Sequence, residues 1–401
     1  MDAVVVGAGL GGLAAGLGLR RAGWRVRVLD QADDRADDRG GTDAAHTDTA
    51  ITATDTADTA TTPDIADTPV ALWPGAFAAL EELCPRCEPL PRAPWPPGSG
   101  VFDRSGRLLV SFDPLVASGA APAVLPLDEV RRGLLRALGP EHVVPSAQVI
   151  GVRETSTRVV VRCADGVDHL TGLVVAADGP RGVLGPEVDD RPRVRHLGAT
   201  SWHGLLPPGR VRPEWHGEMW GRGEVFGVAP LPGGGLAWYA VAPTGDPGRD
   251  LAPVPHEWFA RWPAPVPEIL AAAEDHPPVQ RPVEGLFPLP RRYVRGRIAL
   301  LGDAARGASP VLGQGAGQAL ADAVILELAL RAKSRLDEAL AAYDQVRRPQ
   351  ANRAARRTWL AAALHRLRHP VAVDVRDGLL AHAPQWMIGR VVLRALGGIG
   401  S

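Results

Sequence analysis

The sequence predicts an α/β protein made of a doubly wound domain with βαβ units, a second domain with its own β-sheet, and a helical C-terminus. Three observations carry this prediction. A strand, a glycine-rich turn and a helix follow one another at the N-terminus. A second buried strand near residue 300 again ends in glycine, and residues 190–286 are rich in tryptophan, proline and β-forming segments. A chain of 401 residues also exceeds what one hydrophobic core usually organises.

The N-terminal elements follow from the spacing of apolar residues. Residues 3–6 form a short, fully apolar run, which is typical of a strand buried in a parallel sheet. Residues 13–22 have helical spacing, Gly23 stands where a helix C-cap belongs, and residues 24–30 form the second strand. This order is the start of a βαβ unit.

Residues 32–69 form a low-complexity insertion. From residue 47 onwards the segment cycles aspartate, threonine and alanine and holds hardly any large apolar side chain. Such a composition cannot bury enough surface to offset chain entropy. We expect a mobile, acidic surface loop within the first domain.

The rest of the chain supplies elements of both domains. Residues 101–112 predict a β-hairpin, and apolar residues at helical spacing predict a helix from residue 127. Residues 173–177 and 297–301 predict buried strands, and a long helix is expected from about Gln314. We assign residues 1–71, 126–186 and 287–330 to the first domain, residues 72–125 and 187–286 to the second, and residues 331–401 to C-terminal helices.

Charge and composition restrict the kinds of partner. The 44 basic and 45 acidic residues nearly cancel, so no global field attracts nucleic acid or a membrane, and we expect neither as a partner. Apolar residues 3–19 lack a basic n-region and are interrupted by glycine, so a soluble, cytoplasmic protein is expected. A run of arginines at helical spacing is interpreted as a solvated helix face: Arg347, Arg348, Arg353, Arg356 and Arg357. The oligomeric state stays open.

The cysteines predict neither a disulfide framework nor a metal site. Cys84 and Cys87 form a CxxC pair, but a structural zinc ion needs two more ligands at suitable spacing, and none follows nearby. With Cys163 as the third cysteine, the composition suits a reducing compartment. We expect two thiols at the end of a helix and no metal.

A glycine motif at the first turn carries chemistry. Residues 7–12 read Gly-Ala-Gly-Leu-Gly-Gly, a GxGxxG between a strand and a helix. Gly7 permits the tight turn, Gly9 lets the backbone approach a pyrophosphate, and Gly12 allows close helix–strand packing. Asp30 ends the second strand, where a carboxylate can accept hydrogen bonds from ribose hydroxyls. The pattern predicts a dinucleotide site that includes Leu10 and Gly11, without separating NAD from FAD.

Segments far along the chain resemble a known family, and this resemblance decides between NAD and FAD. Residues 297–306 (RIALLGDAAR) and 309–323 (SPVLGQGAGQALADA) closely resemble the second flavin motif of the aromatic-hydroxylase family, the single-component FAD-dependent monooxygenases. Residues 174–179 (VVAADG) resemble that family's Asp-Gly motif. The resemblance implies an NAD/FAD-type fold, with FAD as cofactor and NAD(P)H as reductant. It assigns FAD contacts to Asp178, Gly302, Asp303, Pro310, Gly313, Gln314, Gly315 and Ala316.

Several positions depart from the family pattern. Asp30 replaces the usual glutamate, and Arg306 replaces the usual histidine. Elsewhere in the motifs the usual serine, arginine, asparagine and arginine are replaced by Gly182, Gly185, Gly317 and Leu127, respectively.

The resemblance implies an oxidoreductase that inserts one oxygen atom into a small hydrophobic molecule through a flavin hydroperoxide. The aromatic content of the second domain suggests an apolar, polycyclic or polyketide-like secondary metabolite. We place its pocket at Trp202, His203, Trp220, Phe226 and Trp238, although ordinary core packing is an alternative for each. Two other functions stay open: a non-redox cyclase with FAD structural or absent, and a non-catalytic ligand-binding protein.

Overall fold

The computed structural model describes residues 1–32, 68–245, 252–307 and 313–384. Nearly all of the predicted insertion, residues 33–67, lies outside the described residues. The strands are β1 (Asp2–Val6), β2 (Arg25–Leu29), β3 (Pro69–Leu72), β4 (Gly100–Asp103), β5 (Leu108–Ser111), β6 (Ala123–Pro126), β7 (Val143–Val144), β8 (Val149–Glu154), β9 (Val159–Cys163), β10 (Asp168–Thr171), β11 (Leu173–Ala176), β12 (Arg193–Leu206), β13 (Gly217–Trp220), β14 (Val225–Pro230), β15 (Leu236–Ala242), β16 (Val279–Phe287), β17 (Val294–Arg295) and β18 (Ile298–Leu300). The α-helices are α1 (Leu10–Arg21), α2 (Pro74–Leu83), α3 (Asp113–Ala117), α4 (Leu127–Leu138), α5 (Gly185–Val188), α6 (His256–Phe259), α7 (Val266–Asp275), α8 (Asp303–Arg306), α9 (Gly315–Ala332), α10 (Leu336–His365) and α11 (Pro370–His382).

The first sheet has the strand order β17-β18-β11-β1-β2-β7. Its central pairs are parallel, and β17 alone runs antiparallel to its neighbour. All four residues of β11 are fully buried, which is the pattern of a strand covered on both faces. Because β1, β11 and β18 are parallel, the loops that follow them meet at one edge of the sheet. The predicted α/β class is confirmed.

Helix α1 packs on this sheet, and α4 and α9 pack against α1. Helix α2 lies against α9, and its Phe77 and Leu83 belong to the same apolar core as β1 and β11. The structure thus places residues 74–83 with the first core, although our boundary assigned them to the second domain. A short antiparallel sheet, β10-β9-β8, and the pair β3-β6 complete this part.

The second sheet has the order β16-β12-β15-β14-β13-β4-β5. The hairpin expected over residues 101–112 is present as β4 and β5. One face of the sheet packs against α6 and α7, which the sequence-based interpretation of this region as β-structure missed. The C-terminal helices α10 and α11 follow the last strands, as predicted.

A buried charge cluster joins α9 to α8 and α10. The Asp322 carboxylate is fully buried and accepts hydrogen bonds from the Gly302 amide at 2.7 Å and from Arg306 Nη1 at 2.6 Å. Arg347 Nε also donates to Asp322, and Arg347 is 1% exposed. The prediction that Arg347 belongs to a solvated face is therefore wrong. Burial raises the pKa of Asp322, but the positive charges of Arg306 and Arg347 lower it by more, so this pKa lies below its usual range.

The cysteine prediction is also wrong. Cys84 and Cys87 form a disulfide directly after α2, and only Cys163 is a free, buried thiol. Among the described helices, none combines the length and the apolar character that crossing a membrane requires.

Candidate active site

The turn between β1 and α1 forms a backbone cradle. Gly7 has a φ of +100° and donates its N–H to Leu29 O at 2.7 Å. A Cβ on Gly12 would lie 1.8 Å from Gly7 O, so no side chain fits there. By contrast, a Cβ on Gly9 would meet no atom within 4 Å. Gly9 is the N-cap of α1, where backbone N–H groups and the helix dipole favour a phosphate.

Asp30 lies beside this cradle at the end of β2. Its Oδ2 accepts a hydrogen bond from the Ala8 N–H at 3.2 Å, and its Oδ1 accepts one from Ala32 N–H at 3.3 Å. From α4, Arg131 Nε donates to Ala8 O at 3.4 Å. Sequence reasoning noted the missing arginine at Leu127 and overlooked Arg131, which stands one helical turn later.

The loop after β11 holds a buried carboxylate. Burial raises the pKa of Asp178 to about 6, against the opposing hydrogen bonds from backbone N–H groups. One of these comes from Leu184 at 3.0 Å, while Asp178 Oδ1 has no hydrogen-bond partner. A Cβ on Gly182 would lie 2.0 Å from Asp178 Cγ, so the absence of a side chain at residue 182 makes room for this carboxylate.

The loop after β18 carries the second group of predicted FAD residues. Burial raises the pKa of Asp303, and Arg306 acts in the opposite direction. Gly313 has a φ of +56°, and a Cβ there would lie 2.9 Å from Ala71 Cβ, so the loop presses closely on β3. Gln314 is the N-cap of α9, which begins with Gly315 and Ala316. Pro310 lies outside the described residues.

The loops after β1 and β18 are neighbours. A Cβ on Gly11 would lie 2.8 Å from Leu301 Cδ2, which shows how closely the two approach. The open space at Gly9 suits a pyrophosphate, Asp30 can accept ribose hydroxyls, and the start of α9 offers further N–H donors. The residues present therefore fit FAD. When bound, FAD accepts a hydride and activates O₂.

The five residues placed in the substrate pocket divide between the two faces of the second sheet. Trp202, Phe226 and Trp238 are at most 1% exposed and pack in the core against α6 and α7. His203 and Trp220 are half-buried and lie on the opposite face, toward α10. Strand residues alternate between faces, which separates these two groups.

A polar aromatic network lies on this second face, which we call the site face. Tyr239 Oη donates to Glu218 Oε1 at 2.5 Å, and Trp220 Nε1 donates to Glu218 Oε2 at 2.8 Å. Tyr239 stacks on His203 with ring centroids 6.1 Å apart. Burial, with Glu218 adding to it, raises the pKa of Tyr239 well above its usual value. Burial is the main cause that lowers the pKa of His203 to about 4, and the positive charge of Arg281 lowers it further. The imidazole of His203 is therefore neutral at pH 7. Glu218 was missed because only cross-strand pairing brings it to Tyr239.

Two neighbouring pockets lie along α10. The first, which is partly open to solvent, is lined by Leu197, Ala199, Gly223, Val225, Tyr239, Val241, Val283, Ala362, His365 and Arg366. The second, which is also partly open, is lined by Gly285, Asp303, Arg306, Gly307, Gln314, Gly315, Gln318, Ala354, Ala355, Thr358 and Trp359. The second pocket thus adjoins the predicted flavin loop, and the first adjoins the site face.

The polar side chains that line the first pocket are Tyr239, His365 and Arg366, and the arginine is the charged one. Burial is the main cause that lowers the pKa of His365, whose ring lies 4.2 Å from that of Trp220. Tyr239 is committed to Glu218. Arg366 is exposed and donates to Leu197 O at 2.8 Å. The remaining lining residues are glycine or aliphatic, so the pocket suits a neutral, apolar ligand.

Comparisons with known proteins agree with this geometry. Two sequence profiles, each described as an FAD binding domain, match residues 2–86 and 288–358. The chain is 30% identical over 361 residues to aurachin C monooxygenase/isomerase of Stigmatella aurantiaca. The aligned region covers 88% of this chain and 86% of that protein. It is 28% identical over 322 residues to 2-heptyl-3-hydroxy-4(1H)-quinolone synthase of Pseudomonas aeruginosa, covering 76% and 81%.

Solved structures share the fold. The structure of Klebsiella pneumoniae HpxO in complex with FAD and uric acid superposes with a TM-score of 0.81 at 22% identity, covering 99% of this chain and 97% of that one. A salicylate hydroxylase–substrate complex superposes with a TM-score of 0.69 at 19% identity, covering 99% and 97%.

Proposed function

This chain belongs to the FAD-dependent monooxygenases of the aromatic-hydroxylase type, and from that premise we propose that it inserts one oxygen atom into a neutral, apolar aromatic molecule. The observation that carries the proposal is the first pocket, in which aliphatic walls surround Tyr239 and a neutral His365. Arg366, the arginine among the lining residues, is exposed and donates a hydrogen bond to the backbone carbonyl of Leu197. A buried carboxylate on a substrate would therefore lack a deep cationic partner.

The chain's own residues orient the substrate and exclude water. Tyr239 is fixed by Glu218, so its ring forms a rigid wall of the pocket. Val225, Val241 and Val283 supply apolar surface that displaces water from the ligand. A dry pocket protects a reactive oxygen-transfer step from competing decay. The glycine cradle and Asp30 would hold the nucleotide part of FAD, with Gln314 and Gly315 near its ring.

Two relatives support the substrate class by their names alone, which refer to aurachin C and to a heptyl-hydroxyquinolone. A neutral heteroaromatic ring system with an alkyl substituent matches the aliphatic walls of the first pocket. This refines the wider expectation of a polycyclic or polyketide-like secondary metabolite. NAD(P)H, the typical reductant of the family, would supply the electrons.

The test uses the purified, FAD-loaded chain under ¹⁸O₂. We expect NADH or NADPH to bleach the flavin bands, and a 2-alkyl-4-quinolone to gain one ¹⁸O atom. Salicylate and urate, tested in parallel, should stay unmodified. Bound flavin that neither nucleotide bleaches would instead favour the non-redox cyclase, and modification of salicylate alone would refute the neutral substrate class.

A matched pair of variants connects turnover to the pocket. Val241→Phe fills the first pocket and should lower kcat/KM at least about tenfold, with the bound-flavin spectrum unchanged. Val167→Phe makes the same change at a side chain that is 48% exposed and should leave kcat/KM unaltered. Equal effects of the two would show that the pocket is misassigned.

A further inference from the structure

The outward face of α10 carries an unusual stripe of side chains. An α-helix turns about 100° per residue, so positions three, four and seven apart share a face. Arg353, Arg356 and Arg357 share one such face with Leu360 and Leu364. All five are exposed, and Leu360 and Leu364 expose 67% and 43% of their surfaces.

Helix α11 continues the apolar character. Val371, Val375 and Leu379 stand four residues apart and expose 62%, 56% and 68% of their surfaces. The opposite side of α11 packs inward through Val373 and the buried Arg376–Asp377 pair. Two consecutive helices thus present apolar side chains outward, which is uncommon for a surface in contact with water alone.

Positive charge predominates around these side chains. Among residues 353–384, five arginines are exposed: Arg353, Arg356, Arg357, Arg366 and Arg368. The exposed acidic side chain in the same stretch is Asp374, since Asp377 is buried. The whole chain, by contrast, has a net charge of −1. Apolar and cationic groups are therefore concentrated together on the two C-terminal helices and the connection between them.

The inward face of α10 lines both pockets. Ala354 and Thr358 border the second pocket, while Ala362 and His365 border the first. An α-helix with its side chains is about 10 Å thick. The apolar, basic stripe and the pocket for an apolar substrate therefore lie on two sides of the same helix.

We propose that the outward faces of α10 and α11 dock on the surface of an anionic lipid bilayer. Arginines next to exposed leucine and valine match a lipid interface, where cations meet the headgroups and apolar side chains enter the acyl boundary. The helices lie on the membrane and do not span it. Resting on the proposed function, this surface would bring the first pocket close to the bilayer in which an apolar substrate dissolves.

The positive charge of the stripe favours lipid over a second copy of this chain. A two-fold contact centred on Arg353, Arg356 and Arg357 would set these arginines against those of the other copy, which repel. A bilayer with anionic headgroups instead neutralises them. The proposal departs from the expectation, drawn from net charge alone, that no membrane is involved.

The experiment is sedimentation of the FAD-loaded, full-length protein with vesicles. Phosphatidylcholine vesicles containing one quarter phosphatidylglycerol should carry the protein down, and phosphatidylcholine alone should do so at least about tenfold less well. Leu360→Ser/Leu364→Ser should reduce binding roughly tenfold or more, because less apolar surface enters the interface. Arg353→Gln/Arg356→Gln should reduce it several-fold and weaken its dependence on salt.

Control variants repeat these changes elsewhere. Ile150→Ser/Leu170→Ser replaces side chains that are 54% and 61% exposed on β8 and β10, and Arg27→Gln/Arg162→Gln removes two exposed charges. Both should bind vesicles like the parent protein. Circular dichroism and the flavin spectrum of each variant report whether it is folded.

Each outcome decides the proposal. Absence of vesicle binding, or loss of binding in the control variants to the same extent, overturns it. A dimer in size-exclusion chromatography that Leu360→Ser/Leu364→Ser converts to monomer, without vesicle binding, assigns the surface to a second copy. Since no turnover is measured, vesicle binding can fail while the monooxygenase activity stands, and the converse also holds.

Discussion

The two faces of the second sheet use the same strands for different purposes. On the core face, Trp238 stacks on Phe226 with ring centroids 5.6 Å apart and an interplanar angle of 7°. On the site face, the next residue, Tyr239, stacks on His203 and donates to Glu218. Both rings lie over a glycine of a neighbouring strand: Gly204 beneath Trp238 and Gly227 beneath Tyr239.

The difference shows that aromatic content alone does not locate a ligand site. The core face is apolar and packed by α6 and α7, so its rings contribute mainly to the stability of the fold. On the site face, Tyr239 and Trp220 each donate to Glu218, which can hold their rings in place. Changes on the first face should therefore alter folding, and changes on the second should alter ligand handling.

The largest expected effect separates two tryptophans. Trp238→Ala empties a fully packed core position and should lower the free energy of unfolding by about 3–5 kcal/mol. Trp220→Ala, at a half-buried site-face position, should cost clearly less and should impair substrate binding instead. Urea unfolding of both variants checks this order. Equal losses of stability would break the distinction between the faces.

The two glycines sharpen the comparison. A Cβ on Gly204 would lie 2.5 Å from Trp238 Nε1, and overpacking a closed core costs about 1–3 kcal/mol. A Cβ on Gly227 would lie 2.1 Å from Tyr239 Cε1, and because this ring borders the pocket, the clash would displace it into open space and strain its hydrogen bond to Glu218. We expect Gly204→Ala to lower the unfolding midpoint more, and Gly227→Ala to raise KM more. The reverse pattern would contradict the assignment of faces.

The Glu218 network should behave as a unit. Tyr239→Phe removes one donor to Glu218 and should cost about 1 kcal/mol of stability, since Trp220 still donates. Combining Tyr239→Phe with Trp220→Phe leaves the carboxylate without either donor. We therefore expect the double variant to lose more than the sum of the single losses in a double-mutant cycle. Strict additivity would show that Glu218 does not couple the two rings.

The dependence of stability on acid gives a further test. Folding lowers the pKa of His203 from 6.5 to about 4. As the pH falls below 6.5, His203 is therefore protonated in the unfolded chain before it is protonated in the folded one. His203 therefore makes the fold less stable as the pH drops from 6.5 toward 4. His203→Gln should flatten this part of the stability curve, measured by urea unfolding at several pH values. Trp202→Phe, on the core face, should leave the slope as it is.

Local sequence patterns predicted the nucleotide-binding half well. The glycine turn, Asp30 and the buried strands were placed because their chemistry depends on neighbours in sequence. Helix α1 begins at Leu10, whereas the predicted helix began at residue 13. The prediction missed the first turn because this turn is rich in glycine and lacks apolar periodicity. Helix α7 was missed although Pro265 at its N-cap and an alanine-rich stretch signalled it.

The substrate half depended on contacts between distant segments. Alternation within residues 236–242 already implied that Trp238 and Tyr239 point to opposite faces. Which face meets the flavin loops could not be predicted, since this depends on how α6, α7 and α10 pack. The ion pairs of Asp322 with Arg306 and Arg347 likewise join residues 16 and 25 positions apart.

Positions that look eroded against a family pattern can instead be adapted to one another. The space left by Gly182 is filled by the carboxylate of Asp178, within 2.0 Å of where a Cβ would stand. Restoring serine there, as a consensus-based redesign would do, collides with a side chain that is itself unchanged from the pattern. The Asp178 side chain must turn aside before a serine fits at residue 182. Changing residue 182 by itself therefore disturbs a carboxylate that the family pattern keeps.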